Sequence, residues 1–317
     1  MTNHITDSGF KNWKLNQLPD LKGKTFVITG ANGGLGFITA QELGQRGANI
    51  IMACRSITKA NSAKAKLEKV VKGSLDLVPL DLSDMASVRR GAEEVRSLTT
   101  KVDGLINNAG VMQTPETRTV DGFELQLAAN HLGHFLWTAL LLDLVEAASG
   151  RVVAVSSIAH KNGKINFLDL MQEEKYSPSN AYFQSKLANL MFGIELDRRL
   201  KASGSSASAI IAHPGLSATD LQFTGPTSVW QAVYRLVMPM LSQPAEKGAV
   251  PLLLAAAGKE AKRGAYYGPT GMGDLKGPVG DASVTNDALD QTVHKRLWEE
   301  SEKLVKEVYE FNQQKTT

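Results

Sequence analysis

The stretch KTFVITGANGGLG, residues 24–36, sets an apolar run against a cluster of glycines and the start of a helical pattern. KTFVITG reads as a short strand, rich in β-branched and aromatic residues. Glycines 30, 33, 34 and 36 follow, and helical spacing takes over from 34 to 46. Glycine lets a backbone turn sharply and come close to a ligand. The helix starting behind it offers unbonded N–H groups and a positive dipole end to an anion. A glycine turn between a first strand and a first helix is a dinucleotide-binding arrangement. The spacing, Gly30-x-x-x-Gly34-x-Gly36, differs from the common G-x-G-x-x-G. Gly30, Asn32, Gly33, Gly34, Leu35 and Gly36 are therefore candidate cofactor-binding residues.

The same alternation continues outward. ANIIMAC (48–54) precedes a helical segment at 57–71, and LDLVPLDL (75–82) precedes another. VDGLINN (102–108) leads into a long helical stretch at 119–148. GRVVAVSS (150–157), a loop, the helix of NAYFQSKLAN (180–189) and SASAIIAH (206–213) complete the series. Strands this apolar, separated by helices, predict a parallel sheet covered on both faces. The class is α/β, doubly wound, with right-handed crossovers. One domain is expected over 1–317, with an N-terminal extension at 1–22 and a C-terminal helical extension at 285–317. That last segment carries Leu289, Val293, Leu297, Leu304 and Val308 at helical spacing. Residues 216–244 break the rhythm with Leu221, Phe223, Trp230, Tyr234, Leu236, Met238 and Met240, and read as a small substrate cap.

Composition removes several function classes. Lys plus Arg total 35 against 32 for Asp plus Glu, too small an excess for a nucleic-acid binder. No apolar run approaches the roughly 20 residues a membrane span needs. A single cysteine, Cys54, excludes internal disulfides and points to a reducing, cytoplasmic setting. The histidines show no metal-ligand pattern, so no metal is expected. His131 and His134, three apart, read as packing residues.

The second strand ends in MACRS (52–56), where NAD-binding chains place an acidic residue on the adenosine ribose. Arg55 stands there instead, and a guanidinium suits the 2′-phosphate of NADP(H). In NAYFQSKLAN, Tyr182 and Lys186 are one helical turn apart and share a face. The pair is either a surface accident or an acid being tuned by an amine.

Taken together, TGANGGLG, NNAG (107–110), Ser157, Tyr182-x-x-x-Lys186 and HPG (213–215) resemble the short-chain dehydrogenase/reductase family over about residues 22–270. MACRS, NHLGHF (130–135) and SKLAN (185–189) are most similar to its retinol dehydrogenase and protochlorophyllide reductase-like branch. The resemblance implies a Rossmann-type domain that binds NADP(H) and reduces a lipophilic ketone or aldehyde, reversibly. It implies Tyr182 as acid in reduction and base in oxidation, tuned by Lys186, which would also bind the nicotinamide ribose. An ammonium favours a phenolate, and acid–base catalysis works best when the pKa lies near working pH. Ser157 would hydrogen-bond the substrate oxygen, with Ser156 on the opposite strand face. Asn130 would be the fourth catalytic residue, its helix carbonyl serving a water that connects Lys186 to solvent. The insert KNGKINFLDLMQEEKYSPSN (161–180) widens the gap between Ser157 and Tyr182. The resemblance puts Asp81 and Leu82 at the adenine, and Asn107, Asn108, Ala109 and Gly110 along the adenine ribose side. It puts Pro214 and Gly215 beneath the nicotinamide, and Thr219 at its carboxamide or the pyrophosphate. It admits a homodimer or homotetramer formed through the Tyr182 helix. Two alternatives keep the fold: a C=C reductase, which in the related branch uses an active-site cysteine, and a non-catalytic NADP(H) sensor.

Overall fold

A computed structural model describes residues 3–217 and 243–311. Eight strands form one sheet: β1 (Thr25–Thr29), β2 (Asn49–Cys54), β3 (Leu75–Pro79), β4 (Gly104–Asn107), β5 (Arg151–Val155), β6 (Ser208–Ala212), β7 (Tyr266–Gly271) and β8 (Lys276–Asp281). Their order is β3-β2-β1-β4-β5-β6-β7-β8, parallel except for the last, antiparallel pair. The order reverses direction between β1 and β4, opening a crevice at the strand ends where ligands of such sheets bind.

Helices cover both faces, as the apolar strands require. On one side α1 (Gly34–Gln45), α2 (Ile57–Leu67) and α7 (Ala245–Ala257) bury Ile28, Ile50, Met52, Leu43 and Leu253. On the other, α3 (Met85–Leu98), α5 (Gly133–Ala147), α6 (Pro178–Ala202) and α8 (Gln291–Val305) enclose Val27, Leu105, Val152, Phe135, Phe192 and Trp298.

The long helix expected from 119 starts later. Residues Arg118 and Glu124 bridge across a turn at Gly122, whose φ of 83° breaks any helix. The buried Glu124 carboxylate then caps α4 (Leu125–Leu127), accepting from the N–H groups of Gln126 and Leu127. A π-turn, Ala128–Leu132, carries α4 into α5. The C-terminal helix ends at Lys306, whose left-handed φ of 54° stops it, so Val308 lies beyond it and is exposed. The N-terminal extension lies along the far sheet edge: Trp13 bridges Val279, and Ser8 bonds Asp281. A covered edge strand is protected against pairing with another chain.

Candidate active site

The glycine turn leaves β1 after Thr29. Gly30 and Gly34 have φ of 70° and 51°, the left-handed region that glycine tolerates best. A Cβ on Gly36 would lie 2.5 Å from the carbonyl oxygen of Gly30 and 2.6 Å from Asn108 Nδ2, so only glycine fits there. Gly33, the N-cap of α1, gives no side chain to the first-turn N–H groups, and a Cβ on it would meet nothing within 4 Å. Open space in front of unbonded N–H groups fits a pyrophosphate. Beneath the turn lies Cys54, its thiol accepting from the backbone of Ala31 and Asn32. Burial pushes that thiol up to about 11, which makes it a poor nucleophile.

Just after β2, Arg55 is exposed and bonds to no described residue. Asp81 Oδ1 accepts from the N–H and hydroxyl of Ser83, at 2.9 and 2.6 Å, which holds the carboxylate in place after β3. Leu82 is buried, and its carbonyl presses on Gly133, where a Cβ would come within 2.3 Å.

NNAG divides its work differently from the expectation. Asn107 turns away from the crevice and donates to Thr138 Oγ on α5 at 2.8 Å, so its side chain does not line a ribose. Strand alternation is the reason: the next residue faces the other way. Asn108 donates from Nδ2 to the Thr29 carbonyl at 2.8 Å, which stitches β4 to the glycine turn. Gly110 matters for closeness. A Cβ on it would stand 2.9 Å from Asn130 Oδ1 and 3.6 Å from Lys186 Nζ.

Ser177 caps α6 and Pro178 opens it, a favoured start. Tyr182 and Lys186 are 7 % and 4 % exposed, so the pair is no surface accident. Lys186 Nζ lies 5.9 Å from the centre of the Tyr182 ring and donates to the Val155 carbonyl at 3.3 Å. Burial pushes the amine down to about 8, and no described carboxylate pairs with it. Ser157 follows Val155 at the end of β5. Its Oγ accepts from the N–H of Ala159 at 3.2 Å, leaving the hydroxyl proton to donate. Ser156 faces the other way, as alternation predicts, and donates to the Lys186 carbonyl at 2.8 Å.

Asn130 is fully buried in the π-turn. Its amide pairs with the backbone of Val111, accepting at 2.7 Å and donating at 2.9 Å, and donates to Ser185 Oγ at 2.9 Å. Both amide protons are used, so this side chain braces the site and does not reach a substrate. Pro214 and Gly215 form the loop after β6, with φ of 66° at Gly215 and the Pro214 carbonyl accepting from Ser217 and Gln243. Thr219 and the apolar residues assigned to the cap, Leu221, Phe223, Trp230, Tyr234, Leu236, Met238 and Met240, lie outside the described residues. Sequence reasoning missed Ser185 and the part played by the Thr29 hydroxyl, which accepts from the N–H groups of Asn108 and Ala109. Among the described residues, no three His, Cys, Asp or Glu side chains converge as metal ligands.

A crevice at the sheet's reversal point, a glycine turn and a buried tyrosine–lysine pair agree with one sequence family. The family model described as short chain dehydrogenase matches residues 24–225. The chain belongs to the short-chain dehydrogenase family. Within it the chain is retinol dehydrogenase-like. It is 44 % identical to human retinol dehydrogenase 12 over 250 residues, 78 % of each chain. It is 39 % identical to human retinol dehydrogenase 13 over 295 residues, 90 % of this chain and 85 % of that one. A crystal structure of an uncharacterized protein from Mycobacterium paratuberculosis matches with a TM-score of 0.79 and 39 % identity, covering 95 % of this chain and all of that one. This short-chain dehydrogenase is thus an oxidoreductase of alcohol and carbonyl groups that takes NAD(P) and small-molecule substrates. No helix among its described residues is long and apolar enough to cross a membrane.

Proposed function

We propose that this short-chain dehydrogenase is an NADP(H)-dependent carbonyl reductase, reversible as an alcohol dehydrogenase, with Tyr182 as its proton donor and acceptor. The observation that carries the reading is the buried Lys186 amine, 5.9 Å from the Tyr182 ring and free of any described carboxylate. A cation held there favours the phenolate, so the phenol gives up and takes back a proton more readily. The bound dinucleotide supplies the hydride; the chain's own groups manage the oxygen and its proton. The Ser157 hydroxyl donates to the substrate oxygen as negative charge develops on it. Tyr182 delivers the proton, the Lys186 charge steadies the phenolate left behind, and a proton from solvent restores the phenol before the next turnover. Asn130 acts at one remove, holding the loop after β4 against α6.

Arg55 supports NADP(H) over NAD(H), since an exposed guanidinium without a partner among the described residues can take a 2′-phosphate. The large apolar residues of 216–244 and the names of the retinol dehydrogenase relatives support a lipophilic aldehyde, ketone or alcohol. C=C reduction by a cysteine acid is disfavoured because Cys54 is sealed beneath the glycine turn.

NADPH oxidation against aliphatic and aromatic aldehydes and ketones tests the reading. Tyr182→Phe should cut kcat at least about 100-fold, the scale of general acid catalysis, and leave NADPH affinity near wild type. Retained turnover would refute Tyr182 as donor. Wild-type protein that binds NADPH tightly yet turns over nothing would instead be a sensor. Arg55→Asp should raise KM for NADPH about tenfold or more, the value of one charge-assisted phosphate contact, and spare NADH.

A further inference from the structure

His131 and His134 of NHLGHF are both buried and bond in different directions. His134 Nε2 lies 2.8 Å from Thr29 Oγ, and its Nδ1 lies 3.0 Å from the carbonyl oxygen of Asn130. The proton positions follow by counting. A threonine hydroxyl has one proton and two lone pairs. Thr29 accepts from the N–H groups of Asn108 and Ala109, each at 2.9 Å, which occupies both lone pairs. Its own proton goes to His134 Nε2, because the other acceptor, the Ile106 carbonyl, is 3.4 Å away. Nε2 is then an acceptor, so Nδ1 bears the ring proton and donates to Asn130.

A second pair of bonds leaves from the Asn130 side chain. Asn130 Nδ2 donates to Ser185 Oγ at 2.9 Å, and Ser185 Oγ donates to the carbonyl of Tyr182 at 2.8 Å. Every donor points one way, from the end of β1 through the π-turn to the backbone of Tyr182. The two halves meet on Asn130, one at its main-chain carbonyl and the other at its side-chain amide, so the fully buried placement of that residue links them mechanically.

We propose that His134 is a positioning residue that ties the dinucleotide-binding turn to the helix bearing Tyr182, so that hydride donor and proton donor share one rigid frame. This rests on Tyr182 being the proton donor. An imidazole suits the task because its two nitrogens are fixed on one ring. Burial, with the Lys186 charge adding to it and the Asn130 carbonyl opposing, pushes His134 down to about 4, so the ring stays neutral. His131 makes the contrast. Its Nε2 meets Ser301 Oγ on α8 at 2.8 Å, and the Ser301 proton is spent on the Leu297 carbonyl at 2.7 Å. His131 is therefore the Nε2–H form and belongs to packing.

Two measurements test the proposal. In protein labelled with 15N-histidine, the ring signals lost in His134→Gln should report a neutral Nδ1–H tautomer from about pH 6 to about pH 9. A ring protonated at neutral pH, or protonated on Nε2, overturns the series whether or not the protein is active. For the role itself, His134→Asn keeps a donor near Nδ1 and His134→Gln keeps an acceptor near Nε2, so each retains one link. Both should lower kcat about tenfold or more, as a sub-ångström misalignment does, with NADPH affinity unchanged. The isotope effect from 4-deuterated NADPH should rise as hydride transfer becomes slower than release. Loss of Tm alone, with kcat and isotope effect unmoved, would make His134 a packing residue. His131→Gln provides that comparison, lowering Tm without changing the isotope effect. A wild type inactive on every carbonyl would defeat the reductase reading, while the tautomer measurement still judged the proton series.

Discussion

A lysine amine ordinarily holds its proton to about 10.5, whereas burial brings Lys186 down to about 8. Between those values the unfolded chain keeps a proton that the folded chain has released, so stability should rise with pH across that window. Below about pH 8 the fold bears the whole cost of an interred ammonium, on the order of 3 kcal/mol. Lys186→Met should therefore raise the urea midpoint at neutral pH, flatten its rise between about pH 8 and pH 10, and abolish turnover. A variant less stable than wild type would mean the amine is a net stabiliser. Tyr182, Lys186 and Ser157 were legible because helix period and strand end dictate where such side chains project. The partnerships of Thr29 with His134 and of Asn130 with Ser185 were not. They join positions 105 and 55 residues apart, and no local pattern encodes such a contact.

At the level of the element, the glycine turn tolerates little. Gly36→Ala would drive a methyl into the carbonyl of Gly30, which is backbone and cannot swing aside. The expected loss is about 1–3 kcal/mol, typical of overpacking, with weakened NADPH binding, read by thermal melts and calorimetry. Strands β1 to β6 were readable from their apolar, β-branched runs. β7 and β8 were not, because YYGPTG and KGPVGD carry the glycine and proline that usually argue against a strand. The sheet admits them at its far end, where they pair antiparallel and the N-terminal segment runs along β8. The π-turn at Asn130 was also hidden, since a π-helical turn leaves no compositional trace.

Over the whole molecule, α8 and the residues after it cover α5 and α6. Trp298 stacks on Phe192 at 5.9 Å, meets Phe135 edge-on at 5.0 Å, and lies 4.4 Å from the Arg199 guanidinium. Tyr309 donates to the Phe135 carbonyl at 2.7 Å, and Arg89 on α3 bonds the Val305 carbonyl at 3.0 Å. Subunit pairing through the Tyr182 helix would have to displace this aromatic layer. Trp298→Ala should cost about 3–5 kcal/mol, measured by urea unfolding. Deleting residues from 291 onward should make the protein self-associate, seen as a rise in mass by light scattering, because the uncovered face is a large apolar patch. The sole thiol in the chain, Cys54, sits under the dinucleotide turn. The enzyme thus carries a built-in clock for that loop: a disulfide reagent can mark the sulfur only in moments when the loop lifts, and saturating cofactor should slow the ticking.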